Sequence, residues 1–312
     1  MTLAINVYWP LAPGSLSLSS VLDEGMTASD SVEVVHGIPA YSIWWNDTTT
    51  STVLCTATPS SDGPSTCPFT ANWVGTHGIE VTIRDSSWGS VFANLTLQVN
   101  QNLHGFGLNA SVGSFSSRQG GTLQDELGAI THFSGAYQGG TGPFTTTWSY
   151  NGSITMGSET SITYAWAHGG DYTVTFSVSD SLGRTLSGTI LVQVNPSAYD
   201  LVLGSHYSKL DVGTSDNLTL NFSGGLSPFT YAWNFGDGNT ANTHVPWTSH
   251  SWASAGSFPV QVTVTDGTGV QLTTTTLVDV IAAPSVQSLT ASWASSSAHA
   301  GETLATYENA TV

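Results

Sequence analysis

The chain has 312 residues, 8 % of them charged against about a quarter in an average soluble domain, and its 21 acidic side chains face four basic ones, Arg84, Arg118, Arg184 and Lys209. A net charge of −17 excludes nucleic acid as a natural partner, because phosphate backbones are held by clustered Lys and Arg, and it excludes the ion-pair networks of extreme thermophiles. No run of 18 uncharged apolar residues offers a membrane span, and no basic-then-apolar signal pattern opens the chain; 43 serines and 43 threonines solvate outward strand faces with hydroxyls that suit an extracellular or acidic setting.

In chain order, residues 1–8 hold a lone segment, Thr2-Leu3-Ala4-Ile5-Asn6-Val7, that reads as the last strand of a preceding or partner domain. Residues 9–99 form a first unit. It contains Pro39-Ala40-Tyr41-Ser42-Ile43-Trp44, then a strand in which Ile79, Val81 and Ile83 alternate with Glu80 and Thr82 up to Asp85, then a further strand ending at Val99. Such alternation marks a half-buried β-strand. Trp44 is the expected core tryptophan. Cys55 and Cys67 lie in the stretch by which this unit exceeds the others, with the turn-forming Asp62-Gly63-Pro64 between them. They are expected to form a disulfide across an otherwise polar loop, since zinc would want four ligands and no histidine neighbours the pair in sequence. Persistence of that bond implies an oxidising exterior.

Residues 100–195 repeat the pattern with Pro143-Phe144-Thr145-Thr146-Thr147-Trp148, a closing strand through Tyr172, Val174, Phe176 and Val178 to Asp180, and a last strand ending at Val194. Residues 196–281 repeat it again with Pro228-Phe229-Thr230-Tyr231-Ala232-Trp233, then Phe258, Val260, Val262 and Val264 to Asp266, and Val280. Trp148 and Trp233 are expected to pack between sheets. Units of about 90 residues made of short alternating strands are β-sandwich sized, so the fold class is all-β, an extended tandem array. Its linkers, Asn195-Pro196-Ser197 and Ala282-Ala283-Pro284, are short and proline-limited. Residues 282–312 resemble the first strands of an incomplete further domain. Two readings of the ends stay open: a window from a longer polypeptide, or strands that pair between subunits.

Seven Asn-x-Ser/Thr sequons make Asn46, Asn94, Asn109, Asn151, Asn217, Asn221 and Asn309 candidate glycosylation sites. Asn94 alternates with Leu95 and Leu97, and Asn217 and Asn221 alternate with Leu218, Leu220 and Phe222, so these three are expected to point outward. The competing reading is that all seven are ordinary polar-face and turn residues.

In the third unit Trp233-Asn234-Phe235-Gly236-Asp237-Gly238, followed by the strand from Phe258 to Asp266, resembles the PKD (polycystic kidney disease) domain, whose signature is Trp-x-Phe-Gly-Asp-Gly, an alternating valine strand and a closing Asp. The second unit keeps Trp148 and Gly170-Asp171-Tyr172 through Asp180 but has Tyr150-Asn151-Gly152-Ser153 in place of the glycine–aspartate turn; the first keeps only Trp44 and the strand from Ile79 to Asp85, and its Cys-containing stretch resembles variants in PKD arrays of archaeal surface proteins. The resemblance implies immunoglobulin-like sandwiches on a cell surface, serving as spacer, adhesive module or self-assembling layer.

Gly236 and Gly238 permit the positive φ of a tight reversal and Asp237 can bond the turn amides. Calcium held by Asp237 with Asp211 or Asp266 is a weaker alternative, because no loop supplies ligands at regular spacing. No cofactor is otherwise called for. The nine histidines are scattered, and no zinc-protease, nucleophile-elbow or phosphate-loop motif occurs; His244 and His250 are a poor metal pair. Two functions follow. One is a non-catalytic surface layer, stalk or filament subunit working through self-association or adhesion, with glycans as further partners. The other is a set of substrate- or carbohydrate-binding modules of a larger secreted hydrolase, for which an exposed row among Trp9, Trp88, Trp247 and Trp293 would speak.

Overall fold

The structure is a computed structural model that describes residues 9–283. The expected strand Thr2–Val7, the segment from Val286 to Val312, Trp293 and the sequon at Asn309 lie outside the described residues. The chain divides into two compact units, residues 1–196 and 197–312, and no helix occurs among the described residues.

The first unit contains two β-sandwiches. In the first, β1 (Ala12–Ser17), β3 (Thr27–Val35) and β6 (Gly63–Thr70) form one sheet in the order β1-β3-β6, and β2 (Val21–Asp23), β4 (Ser42–Asp47), β5 (Thr52–Ala57), β7 (Gly75–Arg84) and β8 (Ser90–Asn100) form the other in the order β2-β8-β7-β4-β5. In the second, β9 (His104–Val112), β10 (Phe115–Arg118), β12 (Ile130–Gln138) and β15 (Ser161–Ala165) face β11 (Thr122–Glu126), β13 (Thr145–Tyr150), β14 (Ile154–Gly157), β16 (Gly170–Ser179) and β17 (Thr185–Asn195). The other unit holds the third sandwich: β18 (Tyr199–Ser205), β20 (Ser215–Ser223) and β23 (Trp247–Ser251) against β19 (Lys209–Asp211), β21 (Thr230–Asn234), β22 (Thr240–Thr243), β24 (Gly256–Thr265) and β25 (Gln271–Ile281). In all three a short strand joins the last long strand in parallel, β2 on β8, β11 on β17 and β19 on β25.

The alternating sequences become sandwiches because period-two patterning gives each strand one apolar face, and two such faces bury each other about 10 Å apart. Val32, Val34, Ile43, Ile79, Val81 and Leu97 are buried in the first core, and Leu218, Val260, Val262 and Val278 in the third. The second core centres on rings, with Trp148 4.5 Å from Phe176 and 5.6 Å from Phe133. Trp148 and Trp233 are both buried; their indole N–H groups donate to the Glu159 carbonyl at 2.7 Å and to Thr243 Oγ1 at 3.0 Å.

Trp44 is not the core tryptophan of the first sandwich. Strand β4 buries Ile43, Trp45 and Asp47 and leaves Trp44 half-exposed on the opposite face. Trp45 is 0 % exposed and pairs with Val81, four residues before Asp85. Trp148 and Trp233 pair with Phe176 and Val262, each four residues before its own closing aspartate. The first unit carries one extra residue between its proline and this position, and in a strand a one-residue offset changes the face.

The cysteines also differ from their expected setting. Cys55 and Cys67 are bonded, but they sit on β5 and β6, edge strands of opposite sheets, and Cys67 is fully buried. The bond therefore ties the two sheets together and does not order an inserted loop. With a sequence separation of 12, replacing both cysteines by serine is expected to lower the stability of the first sandwich by about 3 kcal/mol through release of chain entropy in the unfolded state. Chemical denaturation with and without the bond measures it; an unchanged midpoint would contradict the cross-sheet role.

Candidate functional site

The Gly-Asp-Gly turn joins β21 to β22 and is held by its own side chains. Gly236 and Gly238 have φ of 79° and 93°. A Cβ on Gly236 would lie 2.8 Å from the Pro259 carbonyl oxygen, so the position is closed to side chains sterically as well as conformationally. Gly236 N–H donates to Asn234 Oδ1, and Asn239 donates to both oxygens of Asp237 through its backbone and side-chain amides, all at 3.0 Å. His250 Nε2 lies 2.8 Å from Asp237 Oδ2 and its ring stacks on Phe235 at 3.9 Å. Phe235 is buried, and its carbonyl accepts from the fully buried Trp252 indole at 3.1 Å. Burial pushes the Asp237 carboxyl up, but His250 and Asn239 outweigh it and hold it at about 2.

Asp237 is thus occupied as a turn organiser. Because β21 runs antiparallel to β24, pairing Thr230 with Thr265 and Asn234 with Gln261, Asp237 follows one end of that ladder and Asp266 the other. Asp266 accepts from Thr268 and Val270 N–H within its own hairpin. The pairing of these two acids around calcium is therefore not formed, and among the described residues no group of three or more His, Cys, Asp or Glu side chains could hold a metal. Since the folded Asp237 titrates at about 2 against an ordinary value near 4, its contribution to stability is present above pH ~4 and is lost as the pH falls through ~2. Asp237→Asn is expected to flatten that part of the third sandwich's acid-unfolding curve, read by circular dichroism; an unchanged curve would mean the turn does not depend on this charge.

The sequon residues Asn94, Asn109, Asn151, Asn217 and Asn221 are exposed and Asn46 is half-buried. Asn109 borders a groove of about 580 Å³ on one face of the second sandwich, lined also by Arg118, His132, Ser134, Ser161 and Thr163. Of the histidine pair His244 and His250, His250 has Asp237 as its carboxylate partner.

A second constellation went unseen in the sequence. It lies inside the first unit, where the first sandwich meets the second. The end of each sandwich that carries the closing aspartate's hairpin is here termed its leading pole, and the opposite end, where the last strand leaves, its trailing pole. Asp23 and Glu24, on the trailing pole of the first sandwich, meet the β16–β17 hairpin on the leading pole of the second. Thr141 Oγ1 donates to Asp23 Oδ1 at 2.6 Å, Asn100 donates to Thr141 Oγ1 at 2.8 Å, and Arg184 donates to the Glu24 carbonyl at 3.1 Å. The Arg184 Nε lies 3.8 Å from Asp23 Oδ2. Oδ2 of Asp23 and Oδ2 of Asp180 are both buried and meet no donor among the described residues; one proton shared between the two carboxyls would satisfy both. Burial raises the Asp23 carboxyl, with the Asp180 charge adding to it. Burial acts the same way on Asp180, but the bond from Asp23 and the amides of Arg184 and Leu182 outweigh it and lower that group.

The chain is therefore a tandem of immunoglobulin-like β-sandwiches. Residues 207–280, the third sandwich with its glycine–aspartate turn, match the family model described as PKD domain. Among solved structures the chain is similar to the titin I67–I69 variant, with 13 % identity, coverage of 88 % of this chain and 99 % of that one, and a TM-score of 0.46. It is also similar to Sidekick-1 immunoglobulin domains 1–5, with 12 % identity, 88 % and 60 % coverage and a TM-score of 0.43, and to Drosophila OTK extracellular domains 3–5, with 13 % identity, 87 % and 99 % coverage and a TM-score of 0.34. No curated protein matches the sequence.

Proposed function

We propose that the chain is a structural, non-catalytic extracellular protein, a subunit or segment of a cell-surface layer, stalk or filament, and that it works through self-association or adhesion. The observation that carries this reading is the use to which its acids are put. Asp85, Asp180 and Asp266 accept amides of their own hairpins, Asp237 holds its turn, and Asp23 joins two sandwiches. Each acts on the backbone or on a neighbouring sandwich, which is the behaviour of a scaffold. The hydroxyl-rich faces, the exposed sequons and the cross-sheet disulfide support an oxidising, aqueous exterior. Glycans on the exposed asparagines belong to the same reading.

Electron microscopy of the full-length protein from its native source, together with sedimentation of the purified chain, tests this. Regular assemblies or surface-bound arrays are the expected result. Soluble monomers that hydrolyse a polysaccharide or peptide panel would overturn it. Trp9 and Trp88, 75 % and 78 % exposed on the first sandwich, favour a second reading as carbohydrate-stacking modules of a secreted hydrolase; quenching of their fluorescence by soluble polysaccharide would support that one.

A further inference from the structure

Two aromatic rings stand on the water side of the first sandwich, away from the core that Trp45 fills. Phe92 is 66 % exposed and Trp44 half-exposed. Register brings them onto one face: Trp44 of β4 pairs with Thr82 of β7, and Thr82 with Phe92 of β8, so the three form a row across the sheet. Two residues further along each strand, and therefore on the same face, the next row is Asn46, Glu80 and Asn94. Both asparagines head sequons, completed by Thr48 and Thr96. Because β4 and β8 each run antiparallel to β7, they run parallel to each other. The order aromatic, asparagine, threonine is thus written twice in the same direction, two strand spacings or roughly 10 Å apart.

The other sequons of the described residues lack this arrangement. Asn109, Asn151, Asn217 and Asn221 have Gly107, Ser149, Ser215 and Thr219 two residues before them. A sugar bonded to an asparagine in a strand stands beside the side chain two residues away on that face, about 7 Å along the chain. Its C–H groups carry the partial positive charge that the face of an aromatic ring attracts, and seating it there takes apolar ring surface out of water. Glycine, serine and threonine offer no such surface. Phe92 and Trp44 each present an exposed ring with a sugar acceptor in reach; Phe92 and Asn94 are the more open pair, since Asn46 is half-buried.

We infer that Asn46 and Asn94 carry N-linked glycans whose first sugars stack on Trp44 and Phe92, so that the outer face of the β2-β8-β7-β4-β5 sheet is the glycan-bearing face of the first sandwich. The transfer takes a diphosphate-activated oligosaccharide as donor. Asparagine Nδ2 bonds to the anomeric carbon, the bond from that carbon to the phosphate oxygen breaks, and the diphosphate leaves with the electron pair and takes up the amide proton. The inference rests on the extracellular reading above and adds which sequons are used and what holds the sugar. Sugars on this face keep other chains off it, so self-association uses other surfaces.

Peptide mass spectrometry of the full-length chain and its variants, expressed in the source cells, tests it. Glycopeptides spanning Asn46 and Asn94 are expected. Phe92→Ala should then weaken protection of the β8 amides against hydrogen exchange about two- to tenfold more in the glycosylated chain than in the Asn94→Gln or Thr96→Ala background, the coupling expected of a ring contact. Each of those changes abolishes the Asn94 sequon by a different route, which separates loss of the sugar from a fault in one variant. Unmodified asparagines at both positions overturn this inference, as does a Phe92→Ala loss that is the same with and without the sugar. Protection of Phe92 by added soluble polysaccharide, in a chain whose asparagines are bare, overturns it in favour of an external ligand. Regular assemblies in any of these cases leave the self-association reading standing, whereas a hydrolytic monomer overturns that reading while the peptide map and the Phe92 coupling still decide this one.

Discussion

Trp45→Ala is expected to destabilise the first sandwich by about 4 kcal/mol, within the range for deleting a large buried aromatic, whereas Trp44→Ala should cost less than about 1 kcal/mol. The two residues are adjacent and chemically identical, so only the strand face separates them. Trp45 is fully buried among Val32, Val34, Ile79 and Val81, and its removal leaves a cavity that two sheets tied by Cys55–Cys67 cannot collapse to fill. Trp44 lies on the half-exposed face opposite Thr82. Hydrogen exchange of the β7 amides reports the first sandwich selectively in a multidomain chain. Equal losses from the two substitutions would show that the burial of Trp45 does not govern this core.

The neighbouring tryptophans also show how far the sequence could be read. Period-two alternation was sufficient for the long closing strands, because Ile79, Val81 and Ile83, or Val260, Val262 and Val264, can be buried together on one face in one way only. It was not sufficient in β4, where apolar residues stand at successive positions and both faces look plausible. Counting back from the closing aspartate would have chosen Trp45, since Trp148 and Trp233 oppose the residue four before Asp180 and Asp266; counting forward from proline chose Trp44. The disulfide was legible as chemistry and illegible as geometry, because nothing local says that Cys55 and Cys67 belong to different sheets. The contact of Asp23 with the second sandwich had no local signal at all: it joins residues far apart in sequence that meet only when two folded sandwiches abut.

That contact carries the second large effect. Asp180→Ala is expected to cost about 3–5 kcal/mol, the range for removing one partner of a buried charged cluster, because it leaves Arg184 beside a single unsupported acid and strips the hairpin amides of Leu182 and Arg184 of their acceptor. The pH dependence has two limbs with opposite signs. Asp23 is raised, so the stability that its protonated form supplies is present below the ordinary carboxylate value of about 4 and is lost as the pH climbs through its own higher value. Asp180 is lowered, so its contribution is present above that ordinary value and is lost as the pH falls through its own lower one. The contact is therefore strongest between the two, with one proton held between two oxygens and Arg184 beside them, and it loosens on both sides. Asp23→Asn replaces the shared proton with a permanent amide donor. It is expected to abolish the neutral-side loss while leaving the acid-side loss that belongs to Asp180. Hydrogen exchange of the Glu24, Gly25 and Arg184 amides, followed from acid to neutral pH, measures both limbs. A variant whose protection still declined toward neutral pH as the wild type does would show that the two carboxyls do not share a proton, and that Arg184 and Thr141 alone hold the sandwiches together.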